Sequence, residues 1–137
     1  MKKKTILYNK NFLNNWPVLI QKKISRFSKL VNNKISRGNI IAGYGAPTKA
    51  ILLLKLAKLN SKHIKFIVED NKLKVGRFLP KKNIPIKNFN YLINNPPDII
   101  VILAWNFTND IIKNLKKTTN RKIKVIVPLP ELRVFNI

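Results

Sequence analysis

The chain has 137 residues, no cysteine, and a formal charge of +23 from 28 Lys and Arg against 5 Asp and Glu. That length fits one domain with a single core and excludes a second full domain. Without cysteine there is no disulfide frame, no thiolate nucleophile and no Cys-ligated metal, and the lone His63 cannot assemble a metal cluster.

A field of this sign attracts phosphates, nucleic acid and anionic surfaces. Lys, Asn and Ile are also the residues that A/T-rich codons encode, so the charge has a functional and a compositional reading, and both stay open. The N-terminal MKKKTILYNKNF carries charge without an apolar stretch long enough for a signal peptide, and no run approaches a membrane span of about 18 residues. The expectation is a cytoplasmic protein with no membrane partner.

In chain order, Ile20, Ile24, Phe27, Val31 and Ile35 recur at spacings of four, three, four and four, which predicts one apolar helix face over 18–35. Lys22, Lys23, Arg26, Lys29 and Lys34 occupy much of the remainder. Such a basic amphipathic helix packs on its own domain or lies on another molecule. The run IIAGYG follows, continuous and apolar as a central parallel strand should be. Thr48 to Leu59 is apolar almost all round and predicts a buried helix. HIKFIVED is a second strand, with His63 at its edge, and it ends on Glu69 and Asp70. The stretch 71–86, with Gly76, Pro80 and Pro85, reads as a long loop with a short strand near Ile84 to Ile86. A helical turn around Phe89 to Ile93 is broken by NNPP. DIIVILAW is the next strong strand, Thr108 to Lys117 a helix with Ile111, Ile112 and Leu115 inward, and KVIVPLP the last strand.

Strands alternating with helices define an α/β class: a Rossmann-like parallel sheet with helices on both faces, preceded by the basic amphipathic helix. One domain spans 1–137, with an extension and helix at 1–37 and an α/β core at 38–135.

Ligands of such sheets bind at the carboxyl ends of the strands, where strand order reverses. The unusual residues gather at those ends. Gly43, Tyr44, Gly45, Ala46 and Lys49 form a strand-to-helix turn that suits an anion, although Thr48 stands where a dinucleotide fingerprint needs a third glycine, and a phosphate-binding P-loop motif is missing. Glu69 and Asp70 can accept hydrogen bonds from ribose hydroxyls, or cap a turn. Trp105 can stack on a base, or cover the core rim. No catalytic triad, carboxylate pair or metal set assembles. Glu69 and Asp70 are adjacent, so on a strand they would point to opposite faces and not act together on one substrate.

Read together, GYGAPTKA, VEDNKLKVGRFLP with IPI following, PDIIVILAWNF and VPLPELRV resemble the C-terminal domain of the sugar C-methyltransferases, over roughly residues 20–135. These enzymes move a methyl group from S-adenosylmethionine to a carbon of a nucleotide-linked deoxysugar. The resemblance implies a Rossmann-like domain that helps to hold the nucleotide-sugar near Gly43, Tyr44, Gly45 and Ala46, the Glu69-Asp70-Asn71 corner, Lys74, Gly76, Arg77, Trp105 and Asn106. The family has proline, glutamine and glycine where this chain has Lys72, Val75 and Lys81, which changes the loop. Full members carry a cysteine-rich zinc region and a methyl-donor domain with the catalytic residues, for which there is no cysteine and no room here. The resemblance therefore implies a substrate-binding portion, not catalytic alone. S-adenosylmethionine is expected only on a separate methyltransferase chain, and no cofactor on this one. The alternative from another class is a basic nucleic-acid-binding protein on an α/β scaffold. A dinucleotide-binding oxidoreductase fragment is weakened by Thr48.

Overall fold

The computed structural model describes residues 10–118 and 121–137, with side chains from Val18 onward. Helix α1 spans Lys10–Ser36. Its predicted stripe is the face that packs: Ile24, Phe27 and Val31 are buried, with Ile20 and Ile35 half-buried against the same core. Each such side chain contributes about 1.5–3 kcal/mol on burial. Lys22, Arg26 and Lys29 point to solvent. The helix stops where Gly38 takes φ 85°, and the N–H groups of Gly38 and Asn39 donate to the carbonyls of Ile35 and Lys34.

The core then runs β1 Ile41–Tyr44, α2 Thr48–Leu56, β2 Ile67–Val68, β3 Phe78–Leu79, β4 Ile84–Lys87, α3 Phe89–Asn94 and β5 Ile99–Ile102. A 3-10 turn, Trp105–Phe107, leads into α4 Thr108–Thr118, and β6 Lys124–Val127 and β7 Arg133–Asn136 complete the chain. The strands form one sheet in the order β3-β4-β2-β1-β5-β6-β7.

Alternation along each strand supplies two cores. Ile41, Ile67, Ile99 and Val101 face α1 and α2. Ala42, Tyr44, Ile100 and Ile102 face α3 and α4, where Leu92, Ile111 and Leu115 meet them. Helices on both faces of a parallel centre are what the alternation of segments predicted.

The predicted all-parallel sheet holds for five strands, β4, β2, β1, β5 and β6. Both edges are antiparallel: β3 turns back on β4, and β7 turns back on β6. Neither edge strand was foreseen. β7 is largely exposed, so its sequence lacks a buried face to read, and β3 is two residues long inside a segment rich in turn residues. The second strand is also shorter than expected, ending at Val68 before Glu69, and β5 ends at Ile102, which puts Trp105 in the turn beyond it.

A cleft at the carboxyl edge as the candidate functional site

From β1 the chain moves outward to β2 and β4, then returns to place β5 on the other side of β1. The order reverses between β1 and β5, so the connections that follow them lead to opposite sides of the sheet and leave a crevice. A cleft of about 420 Å³ lies there, between the Tyr44–Pro47 turn, Glu69 and Asp70, Lys74, and the start of α4.

Gly45 fixes the shape of the turn. It sits at φ 91°, and a Cβ there would strike the Cβ of Ala104 and come 3.1 Å from its backbone nitrogen. Close approach of the β1 and β5 ends therefore requires a residue with no side chain and a left-handed backbone. Gly43 has a different role. It lies within β1, where a Cβ would meet Leu103 Cδ1 at 2.7 Å, and it does not line the cleft.

Three side chains from beyond β2 pin this turn. The Ala46 N–H donates to Glu69 Oε2 at 3.3 Å, and Lys74 Nζ donates to the Ala46 carbonyl at 3.0 Å. The Tyr44 hydroxyl donates to Asp70 Oδ1 at 3.2 Å. Tyr44 is fully buried at its base, and its pKa is pushed up to about 12, by burial first and then by the negative charge and hydrogen bond of Asp70. The phenol is thus a proton donor at neutral pH, holding the Asp70 carboxylate.

Glu69 and Asp70 do not point to opposite faces. The expectation assumed a strand through both, but β2 has ended at Val68 and both carboxylates line one cleft. Asp110, from the first turn of α4, is a third. Three of the five acids in a chain of charge +23 thus meet in one place.

The other expected residues spread further. Lys49, Trp105 and Asn106 line a neighbouring hollow of about 220 Å³, which shares Pro47, Ala104 and Phe107 with the cleft. Trp105 packs against both cores, the core-rim role weighed against stacking. Asn71 makes the turn that delivers Lys74: its side-chain oxygen accepts from the Leu73 N–H at 3.0 Å and its carbonyl from the Lys74 N–H at 3.0 Å. Gly76, at φ 88°, and Arg77 tie this loop to β4 through backbone bonds with Ile86, and neither lines the cleft. His63 is structural, its Nδ1 accepting from the Asn60 N–H at 3.1 Å.

Sequence reasoning passed over Phe107, Asp110 and Asn114. All three line the cleft, and Phe107 is its most exposed aromatic, at 62%. Their spacing of three and four residues was the available signal, since it puts them on one side of the turn and helix that follow β5. Among the described residues no group of three or more His, Cys, Asp and Glu is placed to hold a metal ion. Nor is any described helix long and apolar enough to cross a membrane.

Fold and cleft define an α/β domain of the Rossmann-like class with a crevice at its switch point. A family model described as the C-methyltransferase C-terminal domain matches residues 2–130, and the chain belongs to that family. It is similar to the C-methyltransferase NovU of Streptomyces niveus, with 37% identity over 112 residues. That match covers 82% of this chain and 27% of the relative, so the chain spans about a quarter of that protein's length.

Proposed function

We propose that the carboxyl-edge cleft binds a nucleotide-linked deoxysugar, as the substrate-holding part of a C-methyltransferase whose methyl donor and catalytic groups lie on a separate chain. The observation that carries this reading is the convergence of Glu69, Asp70 and Asp110 beside Tyr44 at the switch point. Carboxylates accept hydrogen bonds and repel phosphate, so the cleft suits the hydroxyl-bearing part of the ligand. The diphosphate fits better over the adjoining hollow, where Lys49 adds positive charge and the first turn of α2 presents backbone N–H groups. Phe107, standing between the two, offers an aromatic face for a base or sugar. C-methyl transfer by the relative, in name, supports the reaction class.

S-adenosylmethionine would supply the methyl group, and on this reading it does not bind these residues. The test is calorimetry of the purified chain with thymidine diphosphate, a thymidine-diphosphate deoxysugar, NAD and S-adenosylmethionine. Saturable binding of the thymidine ligands alone is the expected outcome. Silence toward all four removes the proposal, and methyl transfer by the chain alone removes its division of labour.

A further inference from the structure

The opposite edge of the sheet carries its cations with far fewer acids. Register aligns Ile41 with Ile99 and Ile99 with Lys124, and the Lys65 N–H donates to the Ile41 carbonyl. Lys65 and Lys124 therefore bracket the amino ends of the central strands, about 15 Å apart at the usual strand spacing. Lys34, in the last turn of α1, lies against Lys124 with Arg37 also close to it, and Lys62 and Lys122 precede the two outer strands of this row. One acid is present, Asp98. It is occupied, its Oδ2 accepting from the Ile40 N–H at 2.8 Å while Oδ1 lies 3.9 Å from Arg121. Glu69, Asp70, Asp110 and Glu131 all follow carboxyl ends of strands.

Among the described residues neither ion pair involves Lys34 or Lys124. Lys34 is held below the ordinary lysine range, first by the charge of Lys124 and then by slight burial, with Arg37 adding to it. Codon bias adds lysines wherever the codon stands, but it does not press two of them together and leave the acids on the far edge. A row of cations across several strands is also too wide for one phosphate group.

We infer that this amino edge, centred on Lys34, Arg37, Lys65 and Lys124, is a docking surface for the phosphate backbone of single-stranded nucleic acid, separate from the carboxyl-edge cleft. Lysines reach phosphates as point charges, so recognition is of backbone and not of sequence. The inference does not depend on the nucleotide-sugar reading, and the two fail independently.

The test is fluorescence anisotropy with a labelled 20-residue oligouridylate, titrated with the whole chain at several salt concentrations. Binding should weaken linearly on a log–log salt plot, and Lys34→Gln with Lys124→Gln should reduce the slope by about 1.4, at roughly 0.7 for each lost contact with a single strand. The same charge removed near the carboxyl edge, by Lys22→Gln with Lys72→Gln, should leave the slope unchanged. Thermal unfolding checks that both double variants remain folded. Absence of binding at low salt overturns the inference, and so does equal loss in both variants, which would mean attraction by net charge alone. Preference for phosphatidylserine vesicles over the oligonucleotide, sensitive to Lys34 and Lys124, overturns it in favour of a membrane surface.

Discussion

The two edges of one sheet differ in charge and in backbone. The carboxyl edge holds four of the five acids and the amino edge the fifth, although lysines surround both. Both edges have left-handed residues. At the carboxyl edge Gly45, at φ 91°, has no space for a side chain; at the amino edge Lys58, at φ 58°, ends α2. The N–H groups of Lys58 and Leu59 donate to the carbonyls of Lys55 and Leu54, the same closure that Gly38 gives α1. The close approach of Gly45 to Ala104 admits only glycine, whereas a helix end is closed by glycine at Gly38 and by a strained lysine at Lys58.

The largest test of that contrast is Gly45→Val. A β-branched side chain in a left-handed backbone against Ala104 should cost about 3 kcal/mol or more and abolish binding of thymidine diphosphate. A urea melt and calorimetry check both, and a fully stable, binding-competent variant would break the comparison at its strongest point.

Next is the phenol at the cleft floor. Between pH 10 and about 12 the unfolded chain loses the Tyr44 proton while the folded chain keeps it, so stability falls as pH rises through this window. The loss attributable to Tyr44 reaches up to about 2 kcal/mol, given a shift of roughly two units. Tyr44→Phe should be flatter over the same range, and parallel curves for the two proteins would mean that the hydroxyl does not carry the effect.

Asp70→Asn keeps an acceptor for the Tyr44 hydroxyl and removes a charge from the cleft. Folding stability should change little, while ligand affinity falls by about 1.5 kcal/mol, the scale of a hydrogen bond to a charged group. Unchanged calorimetry would move the sugar hydroxyls away from Asp70.

The smallest effect is expected at the other edge. Lys58→Gly should raise stability by about 0.5–1 kcal/mol by relieving the left-handed backbone. A rise in the urea midpoint at constant slope is the expected result, and a fall would mean that the Lys58 side chain stabilises the end of α2.

Much of this molecule could be read from its residues. Helix α1 announced itself because Ile20, Ile24, Phe27, Val31 and Ile35 repeat at the helical period, and burial follows period. β1 and β5 are unbroken apolar runs, and β6 is one after Lys124, because they are covered on both faces. β3 and β7 were not legible, since an exposed edge strand is specified by the partner it lies beside. Lys81, in the turn between β3 and β4, takes φ 62°, a left-handed position that its side chain does not announce.

The candidate site divided along the same line. Gly45, Glu69 and Asp70 were conspicuous as strand-end residues, and they do meet in the cleft. Asp110 and Asn114 were not conspicuous, because their membership depends on which way α4 leaves β5. The sequence by itself determined the class of fold, the carboxyl edge as the place to look, and the net charge, all of which follow from local period and composition. Only the tertiary structure decided that β2 stops before Glu69, so that two neighbouring carboxylates share one cleft, and that Lys34 and Lys124, 90 residues apart in sequence, repel one another at the far edge. Side-chain direction depends on where a strand ends, and charge crowding depends on register across the sheet, and neither is a property of a short segment.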